Sequence, residues 1–337
     1  MHYGIIHSNT NEIISAPILP FINDHSIPKK YTTAIPGDLF LADTSEDRKD
    51  CGKGIEIDGL NNYEVVAGLH TIHMRDKRSL FVSFYKALFT RSNAFHKFAY
   101  QYSEGIKVFS LKPSLFKFFN FYYPEKLEQQ KIVDLFRNID AKISFVEQKI
   151  EALKKYRKGI INSWFKNVGK TVKLCELVKQ QTSQLLTHQI KDNIGTYPVY
   201  DATGSIYKYV DFYANSNDSI AIIKYGSGCG RTFIAHNKHC VLGTMSEIIP
   251  LNHDDLTYIF SFTESTKFKK ICKKYIEVGT TPNLYYSDYS TELVYYPDKR
   301  DTFVKLIDLI SKKCVHLEIE KENLNLLKRQ LLKDMFI

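Results

Sequence analysis

The sequence predicts an α+β fold in which one strand-and-helix domain is used twice, with two long helices packed as an antiparallel coiled coil. Three observations predict it: a heptad seam between Lys131 and Phe165, its copy between Thr302 and Phe336, and a fainter repetition upstream of each. The seam of the first helix runs through Ile132, Phe136, Ile139, Ile143, Val146, Ile150, Leu153 and Ile160, with Arg157 in the remaining slot of a four-three alternation. A shift of 171 carries these slots onto Phe303, Ile307, Ile310, Cys314, Leu317, Lys321, Leu324, Lys328 and Leu331. The basic interruption recurs too, as Arg157 and Lys328.

The elements follow in order. Residues 1–123 form the first domain, with short β-like runs at Asp38–Ala42, Gly54–Ile57 and Glu64–Ala67 and a helical stretch from Leu80 to Ala99. Residues 124–170 are the central helix, announced by Tyr122-Tyr123-Pro124, where proline ends an extended segment and Glu128 suits a positive helix start. Gly159 inside it is a weak helix former and marks a place for a bend or fraying. Residues 171–296 repeat the domain, with strands at Ser219–Ile223, Arg231–Ile234 and Glu247–Ile249 and a helix over Leu256–Tyr275. Residues 297–337 are the closing helix, introduced by Tyr295-Tyr296-Pro297. The domains match at a shift of 173: Thr71 with Thr244, Phe89 with Phe262, Ser92 with Ser265, Phe95 with Phe268, Lys97 with Lys270 and Tyr102 with Tyr275. The two seams bury most simply against each other within one chain; a coiled coil joining two copies is the alternative.

Composition narrows the function. The net charge of +9 suits a nucleic-acid partner, yet Lys and Arg outnumber Asp and Glu by only 14 to 12 in residues 1–123 and tie 12 to 12 in 171–296. DNA contact must therefore come from local clusters, the clearest being Lys267, Lys269, Lys270, Lys273 and Lys274, whose neighbours Phe268, Ile271, Cys272 and Tyr275 face inward on a helix. A solvated helix face explains the same lysines. The six cysteines show no C-x-x-C pair, which argues against structural zinc and for reduced thiols. No signal peptide or bilayer-length apolar run is present in the sequence, so a cytoplasmic protein without membrane contact is expected.

Catalytic motifs are missing from the pattern. Gly226-Ser227-Gly228-Cys229-Gly230-Arg231 fails as a dinucleotide loop because Arg231 stands at the third glycine and a strand follows; it reads as a glycine-rich hairpin tip carrying an arginine. Gly169-Lys170-Thr171 lacks the first glycine of a phosphate loop, Trp164 standing there. Glu147 and Lys149 lie among the heptads, and His7, His70, His73 and His236 have no evident nucleophile or carboxylate partner. A non-catalytic protein is expected.

Glu128-Gln129-Gln130-Lys131-Ile132, Ile139-Asp140-Ala141-Lys142-Ile143 and Leu153-Lys154-Lys155-Tyr156-Arg157-Lys158-Gly159, in that order, resemble the conserved helix of specificity subunits of type I restriction-modification enzymes. Gly37-Asp38-Leu39, Gly68-Leu69-His70-Thr71 and Thr281-Pro282-Asn283-Leu284 resemble turns of that family's target recognition domains. The resemblance implies two such domains, each reading half of a split duplex DNA sequence, with the helix pair setting the gap. It implies two methyltransferase subunits as partners and, through the complex, restriction subunits; S-adenosylmethionine, ATP and Mg belong to those subunits and none to this chain. DNA-contacting candidates are Lys53, His70, Thr71, Arg75 and Lys97 in the first domain, and Lys224, Ser227, Arg231, Thr232, Lys270, Thr281 and Asn283 in the second. One departure stands out: Thr171–Leu177 opens the second domain, and its counterpart is missing before Met1-His2-Tyr3-Gly4. A coiled-coil adaptor with no DNA role and a truncated, inactive specificity subunit are the competing readings.

Overall fold

The computed structural model describes residues 1–9, 12–22, 31–190, 194–277 and 281–336. It divides into two compact units, Met1–Glu147 with Ile319–Ile337, and Gln148–Glu318. Each unit holds one strand-rich domain and a stretch of each long helix.

In the first unit, helix α1 (Tyr3–Ser8) precedes a four-stranded sheet built from β1 (Ile13–Ile14), β2 (Leu39–Ala42), β4 (Gly54–Ile57) and β5 (Thr71–Met74) in the order β1-β4-β2-β5. A small pair, β3 (Thr44–Ser45) with β6 (Phe109–Ser110), lies beside it. Helices α2 (Tyr85–Phe89) and α3 (Asn93–Tyr102) replace the single helix expected over Leu80–Ala99. The break falls at Ser92, whose hydroxyl caps α3 by accepting from Phe95 N–H at 3.2 Å. Glu64–Ala67, expected as a strand, is irregular; the Val65 carbonyl accepts from Ala34 N–H instead. The central helix α4 starts at Lys126, five residues before the heptads begin, and runs unbroken through Gly159 to Trp164. Within this unit its side chains Ile132, Val133 and Phe136 share a core with Leu332 and Phe336 from the closing helix α8 (Asp301–Asp334) and the segment after it. Lys328 of α8 occupies its seam slot and reaches Asp140 of α4 at 2.7 Å and Glu12 of the domain at 2.9 Å.

In the second unit, β8 (Val178–Thr182), β11 (Ser219–Ile223), β12 (Thr232–Ala235) and β14 (Met245–Pro250) form a sheet in the order β12-β11-β14-β8. A second sheet has the order β10-β9-β13, from β9 (Tyr197–Tyr200), β10 (Ile206–Val210) and β13 (Cys240–Val241). Strand β7 (Thr171–Lys173) pairs with β15 (Leu293–Tyr295). The expected Leu256–Tyr275 helix is again two, α5 (Leu256–Glu264) and α6 (Thr266–Tyr275), divided at Ser265, whose hydroxyl accepts from Phe268 N–H at 3.1 Å. A short α7 (Tyr286–Tyr289) follows. Phe165 and Ile161 near the end of α4 pack with Phe303 and Ile307 at the start of α8, the Trp164 ring stacking on Phe303 at 4.6 Å.

The two helices therefore run antiparallel in each unit. The pairing is symmetric in the repeat: Arg157 Nε donates to Ser311 Oγ at 3.0 Å, and Ser311 and Lys328 are the 171-shift counterparts of Asp140 and Arg157. Seam positions Ile132, Phe136, Ile139, Val146, Ile150, Ile307, Ile310, Cys314 and Leu317 are buried, while Ile143, Leu153, Leu324 and Leu331 are partly covered. Lys321, the irregular slot, lies 3.7 Å from Glu147 at the surface. Among the described residues no helix is long and apolar enough to cross a membrane.

Two buried or half-buried ion pairs lend themselves to measurement. Lys328→Ala takes the ammonium from Glu12, 2% exposed, and leaves it Arg91 at 3.5 Å, so a loss of about 2 kcal/mol in denaturant unfolding of the full chain is expected; Lys321→Ala at the exposed pair should change stability by less than about 0.5 kcal/mol. The other pair concerns His239, fully buried 2.6 Å from Glu247. Burial opposes its charge, but the hydrogen bond and field of Glu247 overcome this and raise its pKa above the ordinary 6.5. A pKa raised on folding gives stability that is full below the unfolded value and is lost as pH climbs through the folded one. The melting temperature of the second domain should fall as pH rises from 6.5, and His239→Gln should flatten that slope in a calorimetric pH series.

Candidate nucleic-acid interface

The hairpin between β11 and β12 is where the second domain gathers its polar candidates. Lys224 O accepts from Leu284 N–H at 3.0 Å, Gly226 N–H donates to Pro282 O at 2.9 Å, and Tyr225 bridges Asn283. The glycine-rich tip is thereby stapled to the Thr281–Leu284 turn, bringing Lys224, Ser227, Thr281 and Asn283 into one neighbourhood. Lys224 is half-buried and its pKa is lowered by that burial, whereas Ser227 and Thr281 are exposed. Thr232 faces the other way, its hydroxyl donating to Thr263 Oγ1 at 2.9 Å. Gly230 has a positive φ of 82°, and a Cβ there would meet Cys272 Cβ at 3.0 Å, so glycine lets the tip close onto α6.

That closure makes one wall of a cleft of about 930 Å³ between the hairpin, α6 and the facing stretches of α4 and α8. Lys154, Arg157, Lys158, Arg231, Lys269 and Lys273 line it, against the single carboxylate Glu264. Glu264 is already matched by Arg157 at 2.7 Å, and Lys154 lies 2.9 Å from Glu318. Lys158, Arg231, Lys269 and Lys273 remain exposed, an anion-attracting surface of several positive charges. Of the expected lysine cluster, Lys274 is engaged by Glu292 at 3.0 Å, and Lys270 is exposed on α6 outside the cleft. Phe268, Ile271 and Cys272 are buried and Tyr275 partly so, as a helix with one inward face requires.

The first domain has the equivalent cleft. It measures about 610 Å³ and is lined by Lys49, Arg91, His96 and Lys97 from the domain and by Arg329 and Lys333 from α8, with no acidic residue in its walls. Arg329 and Leu332 are the repeat counterparts of Lys158 and Ile161, which line the second cleft. His96 is held below its ordinary pKa by burial, so it adds little charge at neutral pH. The other first-domain candidates lie apart from it. Lys53 donates to His7 O at 3.0 Å and its pKa is lowered by burial. Arg75 closes on Asp38 at 2.6 Å, where His73 also lies at 2.7 Å. Asp38 resists its own burial through those bonds and is held below the usual carboxylate range. His70, with φ 54°, stands 3.3 Å from Asp43, and the Thr71 hydroxyl donates to Leu69 O at 3.2 Å.

Sequence reasoning missed Lys49, Lys154, Lys158, Arg329 and Lys333 as members of the clefts, while Lys269 and Lys273 belong to the expected lysine cluster. One signal was available: the basic residue beside each basic seam slot, Lys158 after Arg157 and Arg329 after Lys328, repeats along with the seam. Buried thiols carry no chemistry here; burial pushes Cys51 and Cys272 up to about 12. Among the described residues no group of histidine, cysteine and carboxylate side chains is placed to hold a metal ion.

Comparison with known proteins gives a family likeness in the second half of the chain. Residues 169–328 match the type I restriction modification DNA specificity domain. Over those residues, which are the second domain and most of the closing helix, the chain is similar to the DNA specificity domains of type I systems. Its fold is that of the S subunit of a type I restriction-modification system from M. genitalium, with 14% identity and a TM-score of 0.57 over 98% of this chain and 89% of that one. A structure from work on complex assembly and conformational transition of the type I R-M system is similarly close, with 11% identity and a TM-score of 0.60 over 95% of this chain and 89% of that one. At such identities the likeness speaks for the fold. No curated protein matches the chain in sequence. The α+β architecture with a central and a terminal long helix, expected from the heptads, is the architecture the chain shares with these structures.

The clefts predict a salt signature. Replacing Lys269 and Lys273 by alanine should weaken duplex binding across all sequences and reduce the slope of log affinity against log salt by about two, near 0.9 for each phosphate no longer neutralised. Fluorescence anisotropy at several salt concentrations reads this directly, with Lys305→Ala, which lines neither cleft, as the control.

Proposed function

We propose that each domain reads one half of a bipartite DNA target and that the antiparallel helices set the number of base pairs left unread between the halves. The observation that carries this reading is the repetition of the basic cleft: both domains pair their capped helix, α3 or α6, with the same stretch of a conserved helix to form a cationic wall. Phosphate contacts at these walls give register and affinity, and the turns around Ser227, Thr281 and Asn283, with His70 and Thr71 in the first domain, are proposed to reach base edges. The chain itself is a non-catalytic recognition subunit on this reading. Chemistry comes from partners: two methyltransferase subunits using S-adenosylmethionine, and restriction subunits using ATP and Mg, assembled around this subunit in the cytoplasm.

The helix function has a direct test. A heptad adds about 10 Å to a helix, which corresponds to about three base pairs at about 3.4 Å each. Inserting one heptad into both α4 and α8 should lengthen the unread gap by about that amount and leave both half-sequences intact. Genome-wide mapping of methylated bases in cells carrying the variant measures both. Altered half-sequences with an unchanged gap would contradict the reading.

A further inference from the structure

The hairpin tips of the two domains share a hydrogen-bond scaffold that no single shift of the sequence reveals, because the tips differ in length. Gly52 and Gly230 take nearly the same positive φ, 83° and 82°, and donate to Ala42 O at 2.8 Å and to Ile223 O at 2.9 Å. The thiol before each glycine turns back on the residue that follows the strand: Cys51 Sγ donates to Asp43 O at 3.2 Å and Cys229 Sγ to Lys224 O at 3.3 Å. The same two carbonyls accept from Leu111 N–H at 2.7 Å and from Leu284 N–H at 3.0 Å. Asp43 N–H donates to His70 O at 3.1 Å, as Lys224 N–H donates to Thr244 O at 3.0 Å. Asp43 and Lys224 are therefore one position of a common scaffold, occupied by opposite charges.

The fold leaves part of each charge unmatched. Lys224 is half-buried and burial lowers its pKa, yet among the described residues its ammonium makes no ion pair or hydrogen bond and lies 5.1 Å from the centre of the Tyr225 ring. Asn283, bridged to Tyr225, has its Oδ1 buried and without a partner among the described residues. A desolvated cation beside an unmatched polar atom marks a place that an outside ligand completes. In the first domain Thr44 donates to Asp43 Oδ1 at 2.6 Å, and His70 Nδ1 lies 3.3 Å from the same oxygen. One carboxylate oxygen is thus held, and Oδ2 has no partner among the described residues.

We propose, resting on the half-site reading above, that this one position selects a base in each half of the target: Lys224 reads guanine and Asp43 reads cytosine. In the major groove guanine presents two acceptors, O6 and N7, to an ammonium, while cytosine presents the N4 amino group to a carboxylate. Adenine is refused at Asp43 because its N7 acceptor stands beside the N6 amino group and repels the carboxylate, and thymine O4 repels it likewise. Cytosine, which offers only a donor, is refused most strongly at Lys224. Thr44 and His70 are positioning residues that fix the plane of the Asp43 carboxylate. The shared cysteine, glycine and leucine hydrogen bonds keep both tips in one pose, so the side chain at this position changes the base read without changing how the tip is held.

Selection of random duplexes on the full chain, read by sequencing, tests this. The parent should enrich a two-part motif with one G·C pair in each half that depends on this position. Lys224→Met removes a half-buried charge and keeps the stem, so its melting temperature should not fall; it should relax one G·C pair by roughly tenfold and leave the other half unchanged. Lys224→Glu should invert that same pair to C·G. Asp43→Asn should move one position of the other half from cytosine toward adenine, whose N6 and N7 an amide satisfies. If Lys224→Met weakened all duplexes equally with the motif intact, the ammonium would be a phosphate contact and the proposal would be overturned, as it would by an unchanged motif in Asp43→Asn. A parent chain that enriches no motif would overturn the half-site reading and this assignment together.

Discussion

Two half-buried cations hold the helix pair in register, and within each unit the docking of the domain on the helices depends on one of them. Arg157 of α4 binds Ser311 of α8 and Glu264 of the second domain; Lys328 of α8 binds Asp140 of α4 and Glu12 of the first domain. The apolar seam supplies most of the driving force, roughly 1.5–3 kcal/mol for each large side chain fully buried. It does not by itself choose an alignment, since one heptad of isoleucines and leucines fits another after a slip of seven residues. A cation that must find a fixed acceptor makes a slipped register leave a half-buried charge without that acceptor. Because each cation also holds a carboxylate of its domain, the register of the helices and the docking of the domain are one constraint.

The same constraint builds the basic clefts. A domain docked through Glu264 or Glu12 presents its capped helix to the conserved helix, and the lysines and arginines next to the seam slot then face those of α6 or α3. A basic cleft is thus a by-product of how the domain is anchored, which explains its appearance in both halves of a chain whose domains are otherwise nearly neutral. Residues that vary between the repeats, such as the glycine-rich tip and the Thr281–Leu284 turn, sit beside the cleft and are spared any part in the docking.

The helices were the most legible part of the chain because heptad periodicity survives over tens of residues, and Arg157 and Lys328 announced themselves by interrupting it at the same slot. Strands with alternating or wholly apolar runs, such as Ser219–Ile223 and Gly54–Ile57, were legible for the same reason. Edge and polar strands were not: Val178–Thr182 and Thr171–Lys173 are stabilised by pairing partners far away in the chain, which no local pattern encodes. The helix breaks at Ser92 and Ser265 had a visible cause in a capping serine, but the apolar run across each hid it. Site residues were the least legible. Arg75 and Lys53 look like free cations in sequence, and only the fold places Arg75 against Asp38 and turns the Lys53 ammonium onto a backbone carbonyl.

A crosslinking measurement tests the central constraint most directly. Glu147 and Lys321 face each other across the seam at the surface, 3.7 Å apart, so the double variant E147C/K321C treated with a short bismaleimide should join those two positions. With a mixture of isotopically light and heavy protein, mass spectrometry of the linked peptides should find light-light and heavy-heavy links alone, as an antiparallel pair within one chain requires. Links between light and heavy peptides at these positions would mean that the seams zip neighbouring molecules together, and the account of the helices as a ruler inside one subunit would fail.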